Sequence, residues 1–251
     1  MGTETNNLAC NISKENELYN YLSMKAKNHK HFKFYTEREE KITSILSYKS
    51  LFLSNGTRWN DTEDRSRFNP DGSDDVRFGL CMSYMASESV AMWLLYGKQE
   101  GFMVDILPRV ITDCLKRTEV ECGLFEDGKF NKLYTIPDPK IELIDIVYYG
   151  DSKDDSKYHI KRSEEVAECD KCVVDNIQSY KKTYPWNYES ECRLIVTVKR
   201  TEIDERCDTV RVKFDDKYIE EMSKRIYQSP IHKNPPVYCK SALEGYIDWN
   251  I

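Results

Sequence analysis

An α+β fold in a single domain is what this sequence predicts, and three observations carry the prediction. Segments of strand period and helix period follow one another without the regular strand–helix–strand repetition of a doubly wound sheet. No low-complexity tract, internal repeat or Gly/Pro/Ser linker divides the 251 residues, so the chain reads as one domain with long loops. That length buries a sizeable core without a disulfide or a metal to hold it.

The elements follow in order. After Ser13, Leu18, Tyr21, Leu22 and Lys25 recur at helical spacing and Asn28 closes the run. Residues 31–35, HFKFY, alternate like a short strand. Thr36 and Glu39 then read as a T-x-x-E capping box ahead of Ile42, Ile45 and Leu46, predicting a helix, and Leu51 to Ser54 reads as a strand. From Asn55 to Asp75 turn formers dominate over a stretch too long for an idle connection, which predicts a functional or mobile loop. A strand from Arg77 to Ser83, a helix from Ser87 to Gln99 and a strand from Gly101 to Ile106 come next. Ile141 to Gly150 reads as a strand, followed by a charged loop and a helix between Ser163 and Lys182. Beyond YPWN the pattern predicts strands from Tyr188 to Val198 and from Thr209 to Phe214, a helix from Asp216 to Tyr227, and a proline-interrupted tail.

Charge and cysteine usage narrow the function classes. With 37 Lys+Arg against 43 Asp+Glu the net charge is −6, so no global positive field gathers nucleic acid, and such a partner would need a local basic patch. No run approaches the ~18 apolar residues of a membrane span, and MGTETNNLAC lacks the apolar core of a signal peptide. A cytoplasmic location without a membrane partner is the expectation. The 9 cysteines, an odd number scattered from Cys10 to Cys239, suit reduced thiols. Cys169 and Cys172 form the one C-x-x-C pair, with no second pair at zinc spacing, so no metal is expected.

The most informative segment is Tyr188 to Val198, YESECRLIVTV. As a strand, its period of two places Cys192, Leu194, Val196 and Val198 on one face and Glu189, Glu191 and Arg193 on the other. Two readings stay open. The charges form a solvated face neutralised by Arg193, or the carboxylates meet at a cleft where one binds a sugar hydroxyl and the other handles a proton. Trp186 and Tyr188 beside them suit a flat, hydroxylated ligand. In RWND, Asn60 and Asp61 either cap a turn or serve a site. Met92 and Tyr96 share a helix face next to Trp93, which makes either a core stripe or a ligand platform, and Ser83 ends a strand. Lys33, between Phe32 and Phe34 on a central strand, meets a phosphate or reaches for water. His29, His31, His159 and His232 show no triad pattern, and G-x-S-x-G, the Walker loop and G-x-G-x-x-G are all missing.

The succession FKFY, LFLS, WND, LCMS, MWLLYG, GFMVDI and YESECR resembles an uncharacterised bacterial family of domains of unknown function, over about residues 31–200. The sequence departs from that family in having Trp59 before Asn60 and Asp61 and no proline after them. More distantly, a basic residue on the first strand, a serine ending the second and a late E-x-E strand are similar to the arrangement in ADP-ribosyltransferases. Here these are Lys33, in place of the usual Arg or His, Ser83, and Glu189 with Glu191. That resemblance implies a split, mostly antiparallel mixed sheet flanked by helices, with NAD as substrate between its halves. It implies Glu191 as the catalytic carboxylate holding the ribose 2′-hydroxyl, and Glu189 as the group that orients or deprotonates the acceptor. Tyr35, Trp93 or Tyr96 would stack nicotinamide or adenine, Ser83 would meet the nicotinamide ribose, and Lys33 or Arg58 would neutralise the diphosphate. Asn60 and Arg193 complete the expected NAD-binding set. The acceptor would be a protein, a nucleic acid or water, and a bacterial toxin or antiviral effector of this type would have an antitoxin or defence-system partner. Two other classes remain open: a nucleotide-sensing or protein-binding module without turnover, and a metal-dependent nuclease using Asp61, Glu189 and Glu191.

Overall fold

The computed structural model describes residues 13–151, 156–162, 165–230 and 238–243; His232 lies outside them. Helix α1 (Glu15–Ala26) is followed by β1 (Lys33–Thr36), α2 (Glu39–Tyr48), β2 (Ser50–Ser54), α3 (Thr62–Phe68) and β3 (Asp75–Ser83). Next come α4 (Val90–Met92), which runs into a π-helical turn (Trp93–Gly97), then β4 (Phe102–Asp105) and α5 (Pro108–Cys114). A hairpin of β5 (Glu119–Glu126) and β6 (Lys129–Pro137) leads to β7 (Lys140–Asp145), β8 (Val147–Asp151), β9 (Lys157–Arg162), β10 (Glu165–Asp170), α6 (Lys171–Asn176) and β11 (Lys181–Thr183). A 3₁₀ turn (Tyr184–Glu189) precedes β12 (Glu191–Lys199), β13 (Thr209–Lys213), α7 (Ile219–Ser223), β14 (Ile226–Gln228) and β15 (Cys239–Lys240). The fold is α+β, as the mixed order of elements predicts.

The larger sheet divides at β3. One edge of β3 pairs antiparallel with β12 along its whole length, from Asp75↔Lys199 to Ser83↔Glu191, and β12 pairs in turn with β7. The other edge takes two partners that diverge: β1 at Ser83 and β2 at Gly79. From β1 the sheet continues through β4, β14 and β15, and from β2 through β13, β5 and β6. A smaller sheet runs β10–β9–β8–β11. Among the described strands the pairings are antiparallel except β8 with β11 and β14 with β15.

Burial explains the layering. Cys192, Leu194, Val196 and Val198 of β12 enter the main core with Leu51, Leu53, Phe78, Leu80, Val210 and Val212, under helices α2 and α5. The opposite face of β12 is buried too: Ile195 joins Leu18, Leu22, Phe68, Val147 and Val174 in a second core beneath the smaller sheet. A strand covered on both faces can carry Glu191 and Arg193 only if they are paired internally.

Several elements differ from the sequence reading, each for a local reason. The Thr36 hydroxyl accepts from the Arg38 amide at 3.1 Å and Thr36 is the last residue of β1, so no capping box forms and α2 begins at Glu39. The stretch 55–75 contains α3, because the Asp61 carboxylate caps the amides of Glu63 and Asp64 at 3.0 and 3.1 Å. The helix from Ser87 to Gln99 shortens to α4 and the π turn, with Ser89 as its cap. The strand from Ile141 to Gly150 breaks at Ile146, whose amide bonds to the Glu191 carbonyl, and so serves both sheets. Between Ser163 (not described) and Lys182 the predicted helix is replaced by β10, α6 and β11, and the one from Asp216 to Tyr227 by a 3₁₀ turn, α7 and β14.

Among the described residues no helix is long and apolar enough to cross a membrane. The described cysteines are free thiols. His29 and His31, without Asp neighbours in sequence, pair across the fold with Asp145 at 2.7 Å and Asp105 at 2.9 Å.

Candidate active site

A cavity of about 410 Å³ opens in the division of the larger sheet, within the size range of small-molecule sites. Its floor is Gly79–Ser83 of β3, and its walls are Phe34–Thr36 of β1 and Phe52–Ser54 of β2. Trp59, Asn60 and Asp61 close one side, and Met92 at the end of α4 with Leu95 and Tyr96 of the π turn close another. The wider turn that follows α4 brings Leu95 and Tyr96 to the cavity beside Met92, a recurrent use of π geometry at functional sites.

At the cavity base three structural units converge. The smaller sheet supplies Lys182 on β11, α3 supplies Asp64, and the chain entering β12 supplies Glu189, Glu191 and Arg193. Lys182 Nζ lies 2.6 Å from Glu189 Oε2, 2.8 Å from Glu191 Oε2 and 3.5 Å from Asp64 Oδ2. The Arg193 guanidinium spans two carboxylates: Nε donates to Glu191 Oε1 at 2.5 Å, and Nη1 and Nη2 donate to Asp64 at 2.9 and 2.5 Å. It is fully buried and stacks 4.6 Å from the Trp59 ring centre and 5.6 Å from that of Phe68.

Glu189 is not on the strand. It ends the 3₁₀ turn, and Ser190 adopts the left-handed conformation (φ 44°, ψ 58°) before β12 begins at Glu191. This kink, held by the Tyr84 amide on the Ser190 carbonyl at 3.0 Å, turns both carboxylates onto one ammonium. Both line the cavity and both are 3 % exposed, so the reading of these charges as a solvated face is overturned.

The charges do not cancel. Asp64, Glu189 and Glu191 meet Lys182 and Arg193, leaving one carboxylate in excess, which favours retention of a proton in the cluster. Burial pushes the Glu189 carboxyl up to about 7 despite Lys182 beside it, and neighbouring Glu191 adds to the rise. Burial acts on Glu191 in the same sense, but Arg193 and Lys182 outweigh it and hold this carboxyl well below the usual range. The Tyr96 hydroxyl donates to Glu189 Oε1 and is itself pushed far up by burial and that carboxylate. The Cys81 thiol is a smaller influence that also acts to hold Glu191 low. With Arg193 donating twice and Lys182 once, three of the roughly four acceptor positions of this carboxylate are filled.

The remaining predicted residues divide. Tyr35, Arg58, Asn60, Ser83 and Tyr96 line the cavity. Lys33, Trp93 and Arg193 do not: the Lys33 ammonium donates to the Ala86 carbonyl at 2.6 Å, and the Trp93 indole donates to Glu88 at 2.8 Å and meets Tyr35 edge-on at 5.0 Å. Asp61 is spent on its cap through Oδ1 while Oδ2 is buried without a partner, and it does not join Glu189 and Glu191. Among the described residues no group of three His, Cys, Asp or Glu side chains is placed to hold a metal. Sequence reasoning missed Lys182, Asp64 and Tyr148, whose hydroxyl accepts from the Glu191 amide at 2.9 Å. No local signal marks them, since Asp64 and Arg193 are 129 residues apart.

Gly79 is required by the same packing. A Cβ there would lie 2.9 Å from Phe68 Cζ and 3.3 Å from Trp59 Cζ2, the two rings that pack against Arg193. Gly79→Ala is expected to destabilise the protein by about 1–3 kcal/mol through overpacking, read as a lower urea midpoint with an unchanged slope. An unchanged midpoint would show that the rings yield freely.

No protein-family model matches the chain, and no curated protein or solved structure matches it.

Proposed function

We propose that the chain is an NAD-consuming enzyme of the ADP-ribosyltransferase type, which breaks the nicotinamide–ribose bond and passes ADP-ribose to a macromolecule or to water. One observation carries the reading: a carboxylate pair of opposite protonation tendency meets at the base of a ring-lined cavity in a divided sheet. Bond cleavage passes through an oxocarbenium-like state. The C1′–N1 electron pair leaves with nicotinamide, and positive charge grows on the ribose. Glu191, fixed and ionised, stabilises that charge and accepts from a ribose hydroxyl at its remaining acceptor position. The acceptor oxygen then bonds to C1′ while Glu189 takes its proton. Tyr35 and Tyr96 offer rings to the flat bases, and Ser83 and Asn60 offer polar contacts.

The test is release of nicotinamide from NAD, followed with purified protein. With Glu189 as base, kcat/KM is expected to rise through about pH 7, and Glu189→Gln is expected to lose that limb. The fold carries the same signature. Glu189 titrates at about 7 against an ordinary 4.5, so its contribution to stability is complete below pH 4.5 and disappears as pH rises to 7. Urea melts of Glu189→Gln should therefore show a shallower decline across that window; an identical decline would remove the proton from Glu189.

A nucleotide-sensing module without turnover is the second reading, favoured by the three cationic contacts that already engage Glu191. It predicts saturable NAD binding with no nicotinamide released.

A further inference from the structure

Away from the carboxylates, the cavity carries a group of cations that the mechanism leaves unused. Arg38, Lys41 and Arg58 all line it. The Lys41 ammonium, on the first turn of α2 and half-buried, has no hydrogen-bond or ion-pair partner among the described residues. Burial first, and then repulsion from Arg38, lower its affinity for its proton, with Glu40 and Glu37 opposing and Arg58 adding a smaller repulsion. The acids nearby are distant or taken: Glu40 is 4.0 Å from Arg38, Asp208 is 3.9 Å from Arg58, and Glu37 is paired with Lys98. Lys41 has no bonded counter-ion, and Arg38 and Arg58 pair only at 4.0 and 3.9 Å, so the three like charges lining the cavity are incompletely compensated and an anion seated among them lowers the energy. Because the wall encloses a small cavity and the chain as a whole is acidic (net −6), the occupant is a compact phosphate ester and not a nucleic-acid backbone.

We infer that Lys41, with Arg38 and Arg58, forms an anion subsite that binds the diphosphate of the ligand, leaving the acidic end of the cavity for the ribose that reacts. The diphosphate identity rests on the NAD reading, whereas the anion subsite stands on the cations alone. Lys33, the residue the sequence offers for this role, is committed to the Ala86 carbonyl instead.

The experiment is calorimetric titration of the full chain with sodium pyrophosphate, for the native protein, Lys41→Met and Lys41→Arg. Native protein is expected to bind saturably and more weakly as salt rises. Lys41→Met is expected to lose at least tenfold in affinity and Lys41→Arg to retain most of it. The melting temperature of ligand-free Lys41→Met should equal or exceed the native value, since a half-buried uncompensated charge has gone, and this separates lost binding from lost fold. Absence of saturable pyrophosphate binding by the native protein, or equal binding by folded Lys41→Met, overturns the subsite. If pyrophosphate binding depends on Lys41 but NAD is not cleaved, the subsite stands and the NAD reading falls. If NAD is cleaved with the same KM by Lys41→Met, the subsite falls and the NAD reading stands.

Discussion

Glu191→Gln is expected to lower kcat for nicotinamide release by about 10²–10³-fold, the scale of removing one fixed electrostatic partner of a transition state. The amide keeps the shape and can still accept from Arg193, so the fold should persist. The substitution also alters its neighbour. With Glu191 neutral, the cluster holds two carboxylates against two cations, and the repulsion that helps raise Glu189 disappears. The residual activity should therefore show its pH limb below about 7. Residual activity at native level would remove Glu191 from the reaction, and a limb fixed at its native position would show that the two carboxyls do not sense each other.

Arg193→Met is expected to produce the largest loss of stability, about 3–5 kcal/mol. Methionine fills part of the volume and satisfies the ring faces of Trp59 and Phe68, but it leaves Asp64 and Glu191 buried on one side without their guanidinium. Lys182 cannot compensate, because it already serves Glu189 and Glu191 and stands 3.5 Å from Asp64. Arg193→Lys should recover only part of the loss, since a single ammonium cannot fork between two carboxylates. Denaturant unfolding reads both. A loss below about 1 kcal/mol for Arg193→Met would mean that water reaches Asp64 and that the site is not the dry cluster described above.

How much of this was legible in the sequence depends on the range of the interaction. Period-two alternation located β12 and correctly separated Cys192, Leu194, Val196 and Val198 from Glu191 and Arg193, because alternation is a property of the strand alone. The same rule misplaced Glu189: a left-handed Ser190 breaks the period, and a serine gives no composition signal for that conformation in the way a glycine would. Trp59, Asn60 and Asp61 stood out as a cluster, yet the helix that Asp61 caps was hidden among turn formers, and with it Asp64. Lys182 lies in a three-residue strand too short for any periodic signal. Its role follows only from the parallel pairing with β8 that sets it beside Tyr148, and nothing local encodes such a pairing. The helix from Ser87 to Gln99 was anticipated by its apolar spacing, but a π turn and an α-helix share too much of that spacing for sequence to separate them.

The larger sheet divides at β3 into two diverging arms with a cavity between them, and Ser83 pairs with Glu191 across β3 and β12. Lys33 keeps its place on the first strand but turns to a backbone carbonyl. The cationic work it was expected to do falls, on this account, to Lys41, which no motif singled out.

A single proton held by Glu189 beside an ionised Glu191 is the chemical centre of the proposed site. Carbon-13 NMR of protein labelled at the glutamate carboxyl carbon, titrated with pH, tests that directly. The expected result is one carboxyl with a midpoint near 7 that vanishes in Glu189→Gln, and a second, assigned by Glu191→Gln, that stays ionised through the ordinary carboxylate range. Two carboxyls titrating together near 4.5 would contradict it.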